Sequence, residues 1–188
     1  MAVLKIALAG IPADGRPVSA VVPVRAVQPE DSGSLPVDEV QLEGILLPLD
    51  GDFLFRGSLT TVFSHFCDRC LASVKIPMDL DLLWAFKEGP PLAWDAEFTG
   101  NGEEKFRYQG SEIDLSACVW EELVLAAPLK YICREECAGL CPQCGADRNA
   151  DACGCLDRAE ESSQAHRGFA DLAKRFPDLA TADPESEE

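Results

Sequence analysis

Residues 53–86 read FLFRGSLTTVFSHFCDRCLASVKIPMDLDLLWAF. The first half places Phe53, Phe55, Gly57, Leu59, Thr61, Phe63, His65 and Cys67 at every second position. The second half repeats the pattern with Val74, Ile76, Met78, Leu80, Leu82, Trp84 and Phe86, while Ser73, Lys75, Asp79 and Asp81 take the opposite face. A period of two held over such lengths requires paired strands, each with one face on a core. Cys67-Asp68-Arg69-Cys70 lies between them, so this CDRC is the tip of a hairpin.

Upstream, Asp50-Gly51-Asp52 has the residues that a tight hairpin turn prefers. It is preceded by a strand over Val40–Leu49, interrupted at Gly44, and by a polar loop over 28–38. Val18–Val27 is extended, with Pro23 marking an edge strand or bulge, and residues 2–8 form a first strand. Downstream, the acidic, turn-rich stretch 88–104 is a surface loop and Lys105–Tyr108 a short strand. A helix over 114–127 follows. Asp114 is its N-cap, Ile113 and Cys118 have the spacing of a hydrophobic staple, and Leu115, Cys118, Val119, Leu123 and Ala126 form its apolar stripe up to Pro128. Cys118 on that stripe is a small buried hydrophobe.

The fold expected is α+β: an antiparallel twisted sheet or partial barrel, one covering helix, and a C-terminal cysteine-rich zinc segment. The boundaries read as a β-rich core over 1–132, the metal-binding segment over 133–156, and a polar tail over 157–188. A short amphipathic helix near 166–176 in that tail carries Phe169, Leu172, Ala173 and Phe176.

The stretch Cys133–Cys155, CREECAGLCPQCGADRNADACGC, holds six of the nine cysteines in 23 residues. Cys67/Cys70 and Cys141/Cys144 are C-x2-C pairs, Cys133/Cys137 is C-x3-C, and Cys153/Cys155 is C-x-C. Zinc takes four thiolates in a tetrahedron, and a C-x2-C turn brings two of them to one side. In Cys141-Pro-Gln-Cys144-Gly145 the glycine permits the backbone to curl past a metal. These eight cysteines are the candidate metal ligands, for one or two structural Zn2+ sites. One partition joins Cys67, Cys70, Cys133 and Cys137 at long range and Cys141, Cys144, Cys153 and Cys155 locally. Another groups Cys137, Cys141, Cys144 and Cys153, leaving Cys133 or Cys155 spare.

With 16 Lys and Arg against 33 Asp and Glu, the net charge is −17. Such a surface opposes phosphate backbones and suits a basic protein partner, so direct RNA binding is disfavoured. No secretory signal or membrane-spanning run is visible, no membrane partner is expected, and dense, odd-numbered cysteines fit the reducing cytoplasm. No catalytic residue or small-molecule substrate is indicated. His65 reads as a packed neighbour of Cys67 on the core face, His166 as polar surface, and Glu121-Glu122 as solvated charge. Two rivals remain. A zinc-ribbon nucleic-acid-binding regulator would need basic residues around its knuckle, but 133–155 has only Arg134 and Arg148 against Glu135, Glu136, Asp147 and Asp151. A thiol oxidoreductase would need its C-x2-C at a helix N-terminus, not at a hairpin tip.

These motifs, in this order, carry a resemblance. Phe66-Cys67-Asp68-Arg69-Cys70-Leu71, an acidic linker, Ile113-Asp114-Leu115 leading a helix with Glu121-Glu122-Leu123, and C-x3-C-x-G-L-C-P-x-C-G with a later C-x-C closely resemble the YceD family over about residues 40–176. Asn149 matches a polar position of that family. The resemblance implies a bacterial-type, non-enzymatic ribosome-biogenesis factor needed for accumulation of large-subunit (23S) ribosomal RNA. It also implies a partner such as a small basic large-subunit ribosomal protein or an assembly factor. Some members keep the first cysteine pair but lack the C-terminal knuckle, which implies a shared long-range site and a local elaboration.

Overall fold

The computed structural model describes residues 4–90, 105–150 and 153–155. It divides into two compact units, Met1–Cys137 and Ala138–Glu188. The division falls after Cys137, between the cysteines of the long-range group and those of the local one. The expected loop over 88–104 lies mostly outside the described residues, as do the short helix near 166–176 and His166.

Among the described residues, the first unit holds the seven strands and the helix. Its strands are β1 (Lys5–Ala7), β2 (Arg16–Pro23), β3 (Val37–Leu49), β4 (Asp52–Phe66), β5 (Ser73–Glu88), β6 (Lys105–Tyr108) and β7 (Glu112–Asp114), followed by helix α1 (Ser116–Ala126). A five-stranded sheet runs in the order β2-β3-β4-β5-β6, and β1 pairs with β7 in a second, two-stranded sheet. All pairings are antiparallel except β5 with β6, which is parallel. The main sheet is antiparallel, as expected, save for this one parallel pair at its β6 edge. The Arg16 guanidinium links the end of β1 to the start of β2 by donating to the carbonyls of Ala7 and Ala9.

The long hairpin is in register from Phe53↔Phe86 to Phe66↔Ser73. Phe55, Leu59 and Phe63 of β4 are fully buried, and on β5 Trp84 lies opposite Phe55 with Leu82 and Phe86 diagonal to it. At the base of the preceding hairpin, Asp50 (φ 49°) and Gly51 (φ 88°) both take the left-handed conformation that a two-residue turn with matching twist demands.

Gly44 does not interrupt β3, which runs on to Leu49. It faces Gly57 of β4, and the two backbones are too close to admit a side chain. A Cβ on Gly57 would overlap the Glu43 carbonyl oxygen and lie 2.7 Å from the Gly44 Cα. A Cβ on Gly44 would lie 2.6 Å from the Phe55 ring. That ring in turn stacks on Trp84 at a centroid distance of 5.1 Å.

Helix α1 closes the core with Cys118, Val119, Trp120 and Leu123. Trp120, absent from the expected stripe, is buried as well, because a helix packed into a sheet buries more than one narrow seam. The N-cap by backbone geometry is Leu115, one residue later than expected. The capping hydrogen bond is still made by Asp114, whose Oδ1 accepts from the Ser116 N–H at 2.9 Å. Glu122 is not merely solvated charge: its Oε1 accepts from the Trp84 indole N–H at 3.0 Å, tying helix to sheet.

Gly57→Ala places its methyl group against backbone atoms that no rotamer change can move. It is expected to lower unfolding stability in urea by at least about 2 kcal/mol. Gly33→Ala, with nothing within 4 Å of its new carbon, is expected to change it by less than about 0.5 kcal/mol.

Candidate metal centres

At the tip of the β4–β5 hairpin the chain turns tightly. The Leu71 N–H donates to the Cys67 carbonyl at 2.9 Å and the Cys67 N–H to Ala72 at 2.7 Å. Leu71 takes a left-handed φ of 62°. The two residues between the cysteines hold the segment that follows α1. The Asp68 N–H donates to the Tyr131 carbonyl at 2.7 Å, and the Asp68 carboxylate accepts from the Tyr131 N–H at 2.8 Å. The Arg69 guanidinium donates to the carbonyls of Glu135 at 3.0 Å and Cys137 at 3.1 Å. His65 is exposed rather than on the core face, and its ring lies 4.8 Å from that of Tyr131.

These bonds bring Cys67, Cys70, Cys133 and Cys137 together, with all four sulfurs within 4.8 Å of one another. Cys70 and Cys133 are 3.6 Å apart and Cys67 and Cys137 are 3.9 Å apart, sulfur to sulfur. A tetrahedral centre with metal–sulfur bonds of about 2.3 Å has edges of about 3.8 Å, so the spacing fits four thiolates around one soft dication. Cys67, Cys70 and Cys137 are buried and Cys133 is exposed. The backbone N–H groups of Cys133 and Arg69 point at the Cys67 sulfur from 3.4 and 3.5 Å.

The second unit repeats the turn. The Gly145 N–H donates to the Cys141 carbonyl at 2.9 Å, the Cys141 N–H donates to Ala146 at 2.8 Å, and Gly145 has φ 73°. Leu140 bridges to Asp147. The Asn149 amide oxygen accepts from the Ala138 N–H at 2.9 Å while its amide nitrogen donates to Asp147 at 2.7 Å, closing the ends of the knuckle on each other. Cys141, Cys144, Cys153 and Cys155 form the second group of four sulfurs within 4.8 Å. Among the described residues the thiols fall into these two groups, not into a group of Cys137, Cys141, Cys144 and Cys153. The ninth, Cys118, is buried in the core, where burial foremost, with Glu121 and Asp114 adding, pushes its thiol far up.

Each cluster gathers negative charge on one sulfur. Burial opposes ionisation of Cys67. The N–H groups of Cys133, Arg69 and Cys70 and the Cys70 thiol outweigh it and bring its pKa down to about 6. The N–H groups of Cys144 and Gln143 and the Cys153 thiol lower Cys141 to about 6 in the same way. Burial and the neighbouring sulfurs push Cys133 up to about 12, and the Cys144 side chain and burial push Cys155 up to about 11. Either cluster can bear one thiolate unaided. Four require a cation at their centre.

Residues 55–174 match the family model described as large ribosomal RNA subunit accumulation protein YceD. The chain belongs to the YceD family. That match contains the CDRC tip, α1 and all eight clustered cysteines. The uncharacterized proteins Rv2926c of Mycobacterium tuberculosis and Mb2951c of Mycobacterium bovis are similar to it, each 32% identical over 112 residues. The aligned part is 55% of this chain and 52% of theirs, so the chain spans about half the length of the curated relatives it matches. No solved structure matches. Among the described residues no helix is long and apolar enough to cross a membrane.

The sequence reading missed the work of Asp68, Arg69 and Asn149. Their partners lie up to 68 positions away, and only the pairing of such partners reveals the role. A signal did exist in part: Asp and Arg between the cysteines of a hairpin tip have no core to face.

With Cys67 and Cys141 brought down to about 6, metal uptake is expected to release fewer protons per site at pH 7.5 than below pH 6. Below pH 6 these two sulfurs are protonated and the number rises. Calorimetric titration of the metal-free protein in buffers of different ionisation enthalpy checks this. A pH-independent count would contradict it.

Proposed function

We propose that this protein is a non-enzymatic ribosome-biogenesis factor. It promotes accumulation of large-subunit ribosomal RNA through a protein partner and is held in shape by two structural zinc ions. The observation that carries this reading is membership in the YceD family together with two groups of four sulfurs, each within 4.8 Å of one another. Zinc is the cation of choice because four thiolates suit a soft, redox-inert dication without geometric preference. Cys67, Cys70, Cys133 and Cys137 would hold one ion, and Cys141, Cys144, Cys153 and Cys155 the other.

A structural role follows from the ligand sets. Four-cysteine centres leave no open position for a substrate, and sulfurs committed to metal are unavailable as nucleophiles or redox dithiols. The action is cytoplasmic, where thiols stay reduced. A chain of net charge −17, deepened by about −2 for each filled tetrathiolate centre, is repelled by RNA and drawn to basic proteins. The partner class is therefore a basic large-subunit ribosomal protein or assembly factor.

Native mass spectrometry with zinc quantitation is expected to find two zinc ions per chain, with Cys67→Ser and Cys144→Ser each losing one. One ion lost from both variants would sink the two-site arrangement. In the host cell, depletion of the protein is expected to lower mature large-subunit ribosomal RNA relative to the small-subunit species. An unchanged ratio on complete depletion would remove the functional reading.

A further inference from the structure

The outward face of the main sheet carries a groove of about 880 Å3 across β3, β4 and β5. Asp38, Glu39 and Asp79 line it, against Lys75 as the one cation among the described residues of its wall. The next row of the same face adds Glu43 and Asp81, both paired with Ser58. Along β4 the outward positions are Thr60, Val62, Ser64 and Phe66, since side chains alternate. Val62 is 44% exposed and Phe66 62% exposed. The stripe thus begins acidic and ends apolar at the hairpin tip.

At that tip stands Leu71. The two knuckles make the same turn, closed by the same hydrogen bond from the residue after the second cysteine to the first cysteine's carbonyl. Both hold that residue at left-handed φ, 62° for Leu71 and 73° for Gly145. Glycine adopts this conformation freely, whereas a leucine is strained there. Leu71 is 61% exposed, so the core does not ask for its side chain. A strained backbone that presents an exposed leucine, at a hairpin tip whose last β4 residue is the exposed Phe66, is the arrangement of a contact anchor.

We infer that this face, from the Glu39/Asp79 groove to Phe66 and Leu71, is the docking surface for a basic segment of a protein partner. Lysine or arginine side chains of that segment meet Asp38, Glu39 and Asp79, and an apolar side chain seats against Val62, Phe66 and Leu71. The charge complementarity is the argument for the occupant: three carboxylates to one ammonium among the described residues of the groove, on a chain of net charge −17. The inference rests on the protein-partner reading above and places it on one surface.

The test offers the zinc-loaded full chain, carrying a photo-crosslinking amino acid at position 62 or, as a control, at position 30, a mixture of RNA-free large-subunit ribosomal proteins and ribosomal RNA fragments. The expected result is a crosslink from position 62, and not from position 30, to a basic protein. The affinity of that purified protein is then expected to fall at least tenfold with Glu39→Lys/Asp79→Lys. It should fall less than threefold with Asp14→Lys/Glu30→Lys, which changes net charge equally. Phe66→Ser/Leu71→Gly is expected to cost at least tenfold in affinity with zinc content and unfolding midpoint retained. Should that pair disturb the turn, Val62→Ser, away from the cysteines, must weaken binding instead. Equal losses from both charge-reversal pairs would overturn the surface while leaving the protein-partner reading intact. Crosslinking to RNA alone, or no complex with any protein, would overturn that reading and the surface with it.

Discussion

Cys67 and Cys70 sit at the end of one hairpin, and the cysteines they meet, Cys137 and Cys133, lie 70 and 63 positions further along the chain. β5, β6, β7 and α1 are all enclosed in that loop. Closing it in an unfolded chain is entropically costly, and contacts of such separation form late unless something strong rewards them. Four thiols alone supply little attraction. Four thiolates around a dication supply a great deal, and ligand binding energy in such sites is folding energy. The Asp68–Tyr131 pair and the Arg69 guanidinium hold the segment after α1 at the right place, so the sulfurs meet at nearly the spacing a cation requires.

The core depends on the same closure from the other side. α1 ends only a few residues before Tyr131, so fixing that segment also fixes the helix over the sheet. Trp84 sits at the junction, stacked on Phe55 and hydrogen-bonded to Glu122. Phe55 in turn lies over Gly44, where two backbones touch without side chains between them. The cysteine cluster and the aromatic core are thus two ends of one hairpin, each restricting how the other can move.

Much of this was open to a sequence reading where the signal is local and repeated. The two-residue period of β4 and β5, the Asp-Gly turn, the apolar stripe of α1 and the C-x2-C pairs are all of that kind. What escaped was long-range or two-sided. Lys105–Tyr108 shows that a short strand exists, but four residues carry no sign of direction, and it pairs parallel. Gly44 looks like a break until its partner across the ladder is known to be Gly57. His65 follows the strand's alternation, yet it stands beyond the edge of the packed core, so the period no longer reports burial. Spacing alone allowed more than one partition of the cysteines, because it says nothing of which distant pairs meet.

The parallel pairing of β5 with β6 also sets how this region can vary in length. Antiparallel neighbours can be joined by two residues, but parallel ones need a connection long enough to return the chain to the strand's starting end. The connection here is residues 89–104, between Glu88 and Lys105. It therefore has a floor: the chain that leaves β5 at Glu88 must come back level with Ala85 before Lys105 can pair. A deletion that takes the connection below that floor would cost the sheet its β6 edge, while all eight clustered cysteines lie outside the connection in sequence.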